Sequence, residues 1–228
     1  MKALMATTAV LLSWTPAHAA ITLYDVPGAV QPSENVLLPV NQTGTTVYGE
    51  TNKSGTEVTF QSLTCTTAGN CSTFGETLTT PANGQARIET TESPSSLSGM
   101  QFFLSDGNNG FLGFTEFEFN LFNSLNTLQS LTLFGLSNGV TPFSQTFPLN
   151  GNGQNYFAGL ATGGDVFTKV AFDASGTGAT DIRQIRIGGF PGAVVPEPAT
   201  WALMILGFGL IGGALRQRSR ARVALRYT

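Results

Sequence analysis

Between residues 20 and 195 short stretches of the chain alternate apolar and polar residues. In Glu116-Phe117-Glu118-Phe119 the two phenylalanines fall on one side of an extended backbone and the two glutamates on the other. In Ile185-Arg186-Ile187 the isoleucines share a side and the arginine opposes them. Successive side chains of a strand leave opposite faces, so this pattern makes half-buried antiparallel strands; a helix would need a period near 3.6. Similar stretches recur at 45–50, 57–63, 86–90, 100–105, 115–122, 128–136, 143–147, 167–174 and 182–189, separated by Gly, Asn, Ser, Thr and Pro, which form turns. Asn138-Gly139 predicts a hairpin turn, because both residues tolerate positive φ. Only residues 119–128 offer a candidate short helix. Sixteen of the seventeen Phe lie in this body, enough for a sizeable core. The expectation is an all-β fold: a single antiparallel β-sandwich, jelly-roll-like, over residues 20–195.

The two ends read differently. Residues 1–19 carry Lys2, an apolar stretch to Trp14, the breaker Pro16 and then Ala17-His18-Ala19. Small residues at −3 and −1 are what signal peptidase accepts, which predicts a signal peptide cut after Ala19. Near the other end, residues 199–215 hold no charge and reach the short limit of the roughly 17–25 residues that span a bilayer as a helix. Pro198 suits a helix start and Trp201 an interface. Arg216, Arg218, Arg220, Arg222 and Arg226 follow, a basic cluster over 216–226. Positive flanks stay cytoplasmic, so the body faces outward, in agreement with the N-terminal signal. The GxxxG of Gly209 and Gly213 is read as chance in so Gly-rich a run.

The order Pro196-Glu197-Pro198, Trp201-Ala202, apolar helix, arginine cluster resembles a PEP-CTERM sorting signal of the PEPxxWA subtype, over residues 196–220 with its motif at 196–202. The resemblance implies recognition by an exosortase-type processing enzyme of a Gram-negative bacterium. It also implies an inner-membrane-anchored precursor held by the C-terminal helix, cleavage near Pro196-Glu197-Pro198, and delivery to the cell surface or the extracellular exopolysaccharide matrix. It specifies sorting only and is silent on the body.

Within the body, five basic residues stand against thirteen acidic ones, a balance of −8 that the basic tail masks in the whole-chain value of −3. Such a surface repels phosphate backbones, which argues against nucleic acid as a partner. The single His is His18, in the expected signal peptide, so the body lacks the commonest general base and zinc ligand. Gly135-Leu136-Ser137-Asn138-Gly139 matches GxSxG, but without a His and a following helix it reads as the hairpin turn. Glu116 and Glu118 leave one strand face together, as a glycosidase pair would require. Their stretch also resembles the ExDxxE strand motif of β-sandwich β-glucanases, with Glu118 in place of the Asp and Leu121 in place of the third acid. The favoured reading of such alternation is a solvated charged face opposite a Phe core face.

Asp106, Asn108 and Asn109 could hold Ca²⁺ in one Gly-rich loop, but Phe117 occupies the position of a bidentate Glu, and a plain Asx turn is favoured. Cys65 and Cys71 flank a short turn and, in an exported protein, predict a disulfide that contributes roughly 2 kcal/mol. A metal pair is the alternative. Trp14 and Trp201 both lie in segments expected to be removed, leaving Tyr24, Tyr48 and Tyr156 in the body. Stacking on a glycan therefore has little to work with, while hydrogen-bonding sites stay open.

These observations predict an exported, non-catalytic protein without cofactor, structural or adhesive, associated with exopolysaccharide. The alternatives are a polysaccharide-active enzyme using Glu116 and Glu118, and a calcium-dependent adhesive module.

Overall fold

The computed structural model describes residues 20–67, 70–73, 75–82, 86–91, 96–105, 111–123, 129–151, 153–177, 179–190 and 208. The chain divides into two units, Met1–Phe190 and Pro191–Thr228, and the described strands all belong to the first. In chain order they are β1 (Ala20–Tyr24), β2 (Glu34–Leu37), β3 (Thr43–Gly44), β4 (Thr46–Thr51), β5 (Glu57–Thr67), β6 (Asn70–Thr73), β7 (Leu78–Thr79) and β8 (Arg87–Thr90). There follow β9 (Gly99–Ser105), β10 (Phe111–Leu112), β11 (Glu116–Asn123), β12 (Gln129–Ser137), β13 (Thr141–Leu149), β14 (Gly153–Thr162), β15 (Phe167–Asp173) and β16 (Ala179–Gly188).

The strands hydrogen-bond in the order β1-β14-β11-β16-β2-β4-β5-β9-β15-β12-β13, and the pairings along that path are antiparallel. Strand β2 makes the path continuous. Its Glu34 and Asn35 pair with Ile187 and Arg186 of β16, and its Val36 and Leu37 pair with Thr51 and Glu50 of β4. A strand that passes from one layer to the other in this way turns a corner, helped by the twist of each pair. On the opposite side a bridge between Phe114 and Phe167 ties the layers again. The all-β antiparallel expectation therefore holds, but the sandwich of two separate sheets gives way to one sheet rolled over on itself and nearly closed.

Phenylalanine fills the roll. Phe117, Phe119 and Phe157 from β11 and β14 face Phe60, Phe102, Phe167 and Phe172 from β5, β9 and β15, all essentially without solvent exposure. Their rings interlock: Phe117 lies 5.9 Å from Phe102 and 5.0 Å from Phe167, edge to face, and Phe119 lies 5.5 Å from Phe172. Each such ring contributes roughly 2 kcal/mol through burial alone.

Strand β14 lies between β1 and β11, yet its sequence GQNYFAGLAT carries little β-favouring character. Gly159 explains why it belongs there. A Cβ at that position would stand 2.2 Å from Cε1 of Phe117, so the strand gives up a side chain to admit the ring. The Asn138-Gly139 hairpin forms as expected, with φ of 51° and 78° and Val140 N–H donating to Ser137 C=O at 3.1 Å. The helix candidate at 119–128 is strand through Asn123; its remaining residues lie outside the described set. Among the described residues no helix is long and apolar enough to cross a membrane.

Candidate functional site

Glu116, Glu118 and Asn120 leave the face of β11 opposite Phe117, Phe119 and Leu121. The solvated charged face expected there is not what forms. Glu118 is 7% exposed and Asn120 is fully buried, while Glu116 stays half-buried. The cause is topological. Strand β1 lies on one side of β11 beyond β14, and β2 lies on the other side beyond β16, so residues 25–33 that join them must cross this face. Gly28 N–H donates to Glu118 Oε2 at 2.9 Å, and Arg186 donates through Nη2 to Pro32 C=O at 2.8 Å. Arg186 stands opposite Glu118 in the ladder, with Nη1 3.8 Å from Glu118 Oε1. The Glu118 carboxylate is thus occupied by protein groups beneath a covering segment. Leu121, at the place of the third acid in the glucanase pattern, is fully buried in the core.

Next along the same face lies a row of amides. The register sets Asn120 opposite Tyr156 of β14 and opposite Arg183 of β16. Asn120 Nδ2 donates to Gln184 Oε1 at 3.1 Å. Tyr156 Oη lies 2.7 Å from Gln154 Oε1 and 3.1 Å from Gln184 Oε1. Gln184 occupies a bulge, where the pairing slips between Glu118 and Asn120, and it holds a left-handed φ of 53°. One residue pair further, the Arg183 guanidinium covers the Phe122 ring at 4.8 Å. Hydrogen bonds from Arg183 to Asp181 at 2.5 and 2.6 Å raise the Arg183 pKa against the opposing effect of burial. At Gln184 and Ile185 the sheet forks: the lower half of β16 pairs with β8 and the upper half with β2. At the fork lies a groove of about 320 Å³ lined by Asn35, Leu37, Ala86 and Gln184 among others. The sequence marks Asn120 only as standing, with Leu121, where a glucanase would carry its third acid, and it does not mark Gln184 or Gln154. The three come from separate strands and have no common spacing, and uncharged amides give little signal.

Cys65 and Cys71 sit in register on β5 and β6 with their sulfurs facing each other, and residues 68–69 of the turn between them lie outside the described set. Asp173 brings a carboxylate close to both sulfurs, but its Oδ1 accepts from Ser175 N–H at 3.0 Å and from Ser175 Oγ at 2.7 Å. The loop holding Asp106, Asn108 and Asn109 lies outside the described residues, as do the expected signal peptide 1–19, Pro196, Glu197, Pro198, Trp201, Ala202 and the arginine cluster.

No curated protein and no solved structure matches this chain. Residues 194–219 match the family model of the PEP-CTERM protein-sorting motif, so the tail of this protein carries a PEP-CTERM signal of the kind that directs exported proteins to an exosortase.

Proposed function

We propose that this protein is synthesised with a signal peptide, held in the inner membrane of a Gram-negative bacterium by its C-terminal helix, and cut by an exosortase-type enzyme near Pro196-Glu197-Pro198. Its β body then serves a structural or adhesive role at the cell surface or in the exopolysaccharide matrix, without catalysis. The observation that carries this reading is the PEP-CTERM match over residues 194–219. Two features of the body support it. The paired Cys65 and Cys71 suit an oxidising compartment, where we assign them a disulfide. The Glu118 carboxylate, hydrogen-bonded to Gly28 and facing Arg186 under residues 25–33, is badly placed for sugar hydrolysis.

The test follows from the tryptophans. The chain has two, Trp14 and Trp201, and both leave if the two cuts occur. Protein purified from the surface fraction should have the intact mass of a chain cut at both ends, with tyrosine but no tryptophan emission. A surface form that keeps tryptophan emission and the full C-terminal mass would mean that the tail is a permanent anchor.

A further inference from the structure

The row of amides on the outer face of β14, β11 and β16 has the chemistry of a ligand site. Gln154, Tyr156, Asn120 and Gln184 converge from three strands into one hydrogen-bonded array, joined by contacts of 2.7, 3.1 and 3.1 Å. The array is under-supplied with protons. Tyr156 has one hydroxyl proton but faces two glutamine oxygens, so it donates to one, and the other glutamine must turn its amide nitrogen toward the phenol. Gln184 Oε1 also accepts from Asn120 Nδ2, so Gln154 is the glutamine that can turn and present either a donor or an acceptor outward. Below them Asn120 Oδ1 is buried and accepts from no group among the described residues. A buried polar atom without a partner is uncommon in native folds.

The backbone points the same way. Gln184 keeps a left-handed conformation that glycine would adopt freely and glutamine does not, and it does so at a β-bulge. Such positions persist where the surroundings hold a side chain in a required place. Gln184 also lines the groove at the fork between β2 and β8, so the array and the groove share this residue.

Charge decides the class of ligand. Arg183 is held by Asp181, and Arg186 faces Glu118, so the cations beside the array are internally matched. The body is acidic overall, which disfavours acidic polymers. What suits a neutral, two-way hydrogen-bonding array is a ligand whose groups both donate and accept, and sugar hydroxyls do. We propose that Gln154, Tyr156 and Gln184, braced from beneath by the buried Asn120, bind a neutral polysaccharide beside the adjoining groove. A repeating polymer compensates for modest affinity at each site by engaging many copies. The inference rests on the matrix role proposed above and gives that role a site.

The experiment is affinity electrophoresis of the protein purified from the surface fraction, in native gels containing dextran, mannan, alginate or the exopolysaccharide of the producing cells. The expected result is retardation by a neutral polymer or by the exopolysaccharide, and none by alginate. Tyr156→Phe and Gln184→Gly should each weaken that binding by about tenfold, the upper end for one lost hydrogen bond. Gln184→Gly also strips the buried Asn120 Nδ2 of its acceptor, so its melting temperature should fall with its binding; Tyr156→Phe loses only the exposed contacts of its hydroxyl, so its melting temperature should hold while binding falls, which a merely structural tyrosine would not show. Exopolysaccharide binding that survives both substitutions would overturn this site and leave the matrix role standing. Retardation by alginate alone would overturn the neutral class. No retardation in any gel would overturn the site and the exopolysaccharide association together.

Discussion

The two faces of β11 are almost equally buried, by different physics. On one, Phe117 and Phe119 lie inside the roll against Phe102, Phe167 and Phe172. On the other, Glu118 and Asn120 lie under residues 25–33 and the Tyr156–Gln184 contact. Apolar burial is non-directional and needs only volume to be filled. Polar burial needs a partner for each atom, and here it is incomplete: Asn120 Oδ1 and Arg186 Nε have none among the described residues. The difference teaches that the inner face holds the fold and the outer face is where unmet polar capacity has collected. Stability should therefore respond steeply to changes on the inner face and weakly to changes on the outer one.

The steepest response is expected at Phe117. Phe117→Ala should lower unfolding free energy by about 4 kcal/mol in urea titration, as large-to-small changes in packed cores do. A loss under about 1 kcal/mol would mean that the inner face is not close-packed and would end the comparison. Overfilling the same place tests it from the other direction. Gly159→Val puts a branched side chain where a Cβ alone would stand 2.2 Å from the Phe117 ring, and should cost about 3 kcal/mol. Combined with Phe117→Ala, the valine should occupy the space the ring leaves, so the double variant should be more stable than the sum of the two losses predicts. Strict additivity would show that the two residues do not compete for one volume.

The outer surface has its own contrast, because Glu34 is well satisfied where Glu118 is not. Glu34 Oε2 accepts from Ser54 N–H at 2.8 Å, Ser54 Oγ at 3.0 Å and Lys53 N–H at 3.2 Å, clasping the turn between β4 and β5. Burial pushes this carboxyl up, but the Ser54, Lys53 and Thr51 donors together outweigh burial and hold it below the ordinary carboxylate value. A lowered folded value means stability present in full above the unfolded pKa of about 4.3 and lost as pH falls through the folded one. Glu34→Gln should cost about 2 kcal/mol at neutral pH, the range for hydrogen bonds to a charged group, and should flatten the acid limb of stability against pH. An unchanged acid limb would remove Glu34 from the account. The smallest effect belongs to Glu118→Gln. The amide oxygen can still accept from Gly28, and the lost attraction to Arg186 spans 3.8 Å to a partly solvated partner, so a loss of at most about 1 kcal/mol is expected by thermal unfolding. A larger loss would move Glu118 to the same footing as the core.

Legibility followed the same division. The alternation of Glu116 to Phe119 placed both phenylalanines inward, and the strands at 57–63, 100–105 and 167–174 appear as β5, β9 and β15. Strand β14 was not legible, because Gly159 and its neighbouring alanines look like weak strand formers until the ring of Phe117 is seen to need the space. Glu118 was read as solvated because its cover, residues 25–33, lies about ninety residues away in the chain and leaves no mark on the local pattern. The amide row was missed because its members are separated by 28 to 64 residues along the chain where they hydrogen-bond between β16 and the other two strands.

Local pattern was enough for the all-β antiparallel class, the inward face of Phe117 and Phe119, the Asn138-Gly139 turn and the sorting address over the tail. Each of these depends on neighbours in the chain: strand alternation, a residue's tolerance of positive φ, or a contiguous motif. Only the tertiary structure decided that the sheet rolls through β2 instead of splitting in two, that β14 belongs beside β11, and that Glu118 and Asn120 are covered. Those outcomes depend on contacts distant in sequence, where the volume of one ring or the path of one connection selects among arrangements that local propensity leaves equal.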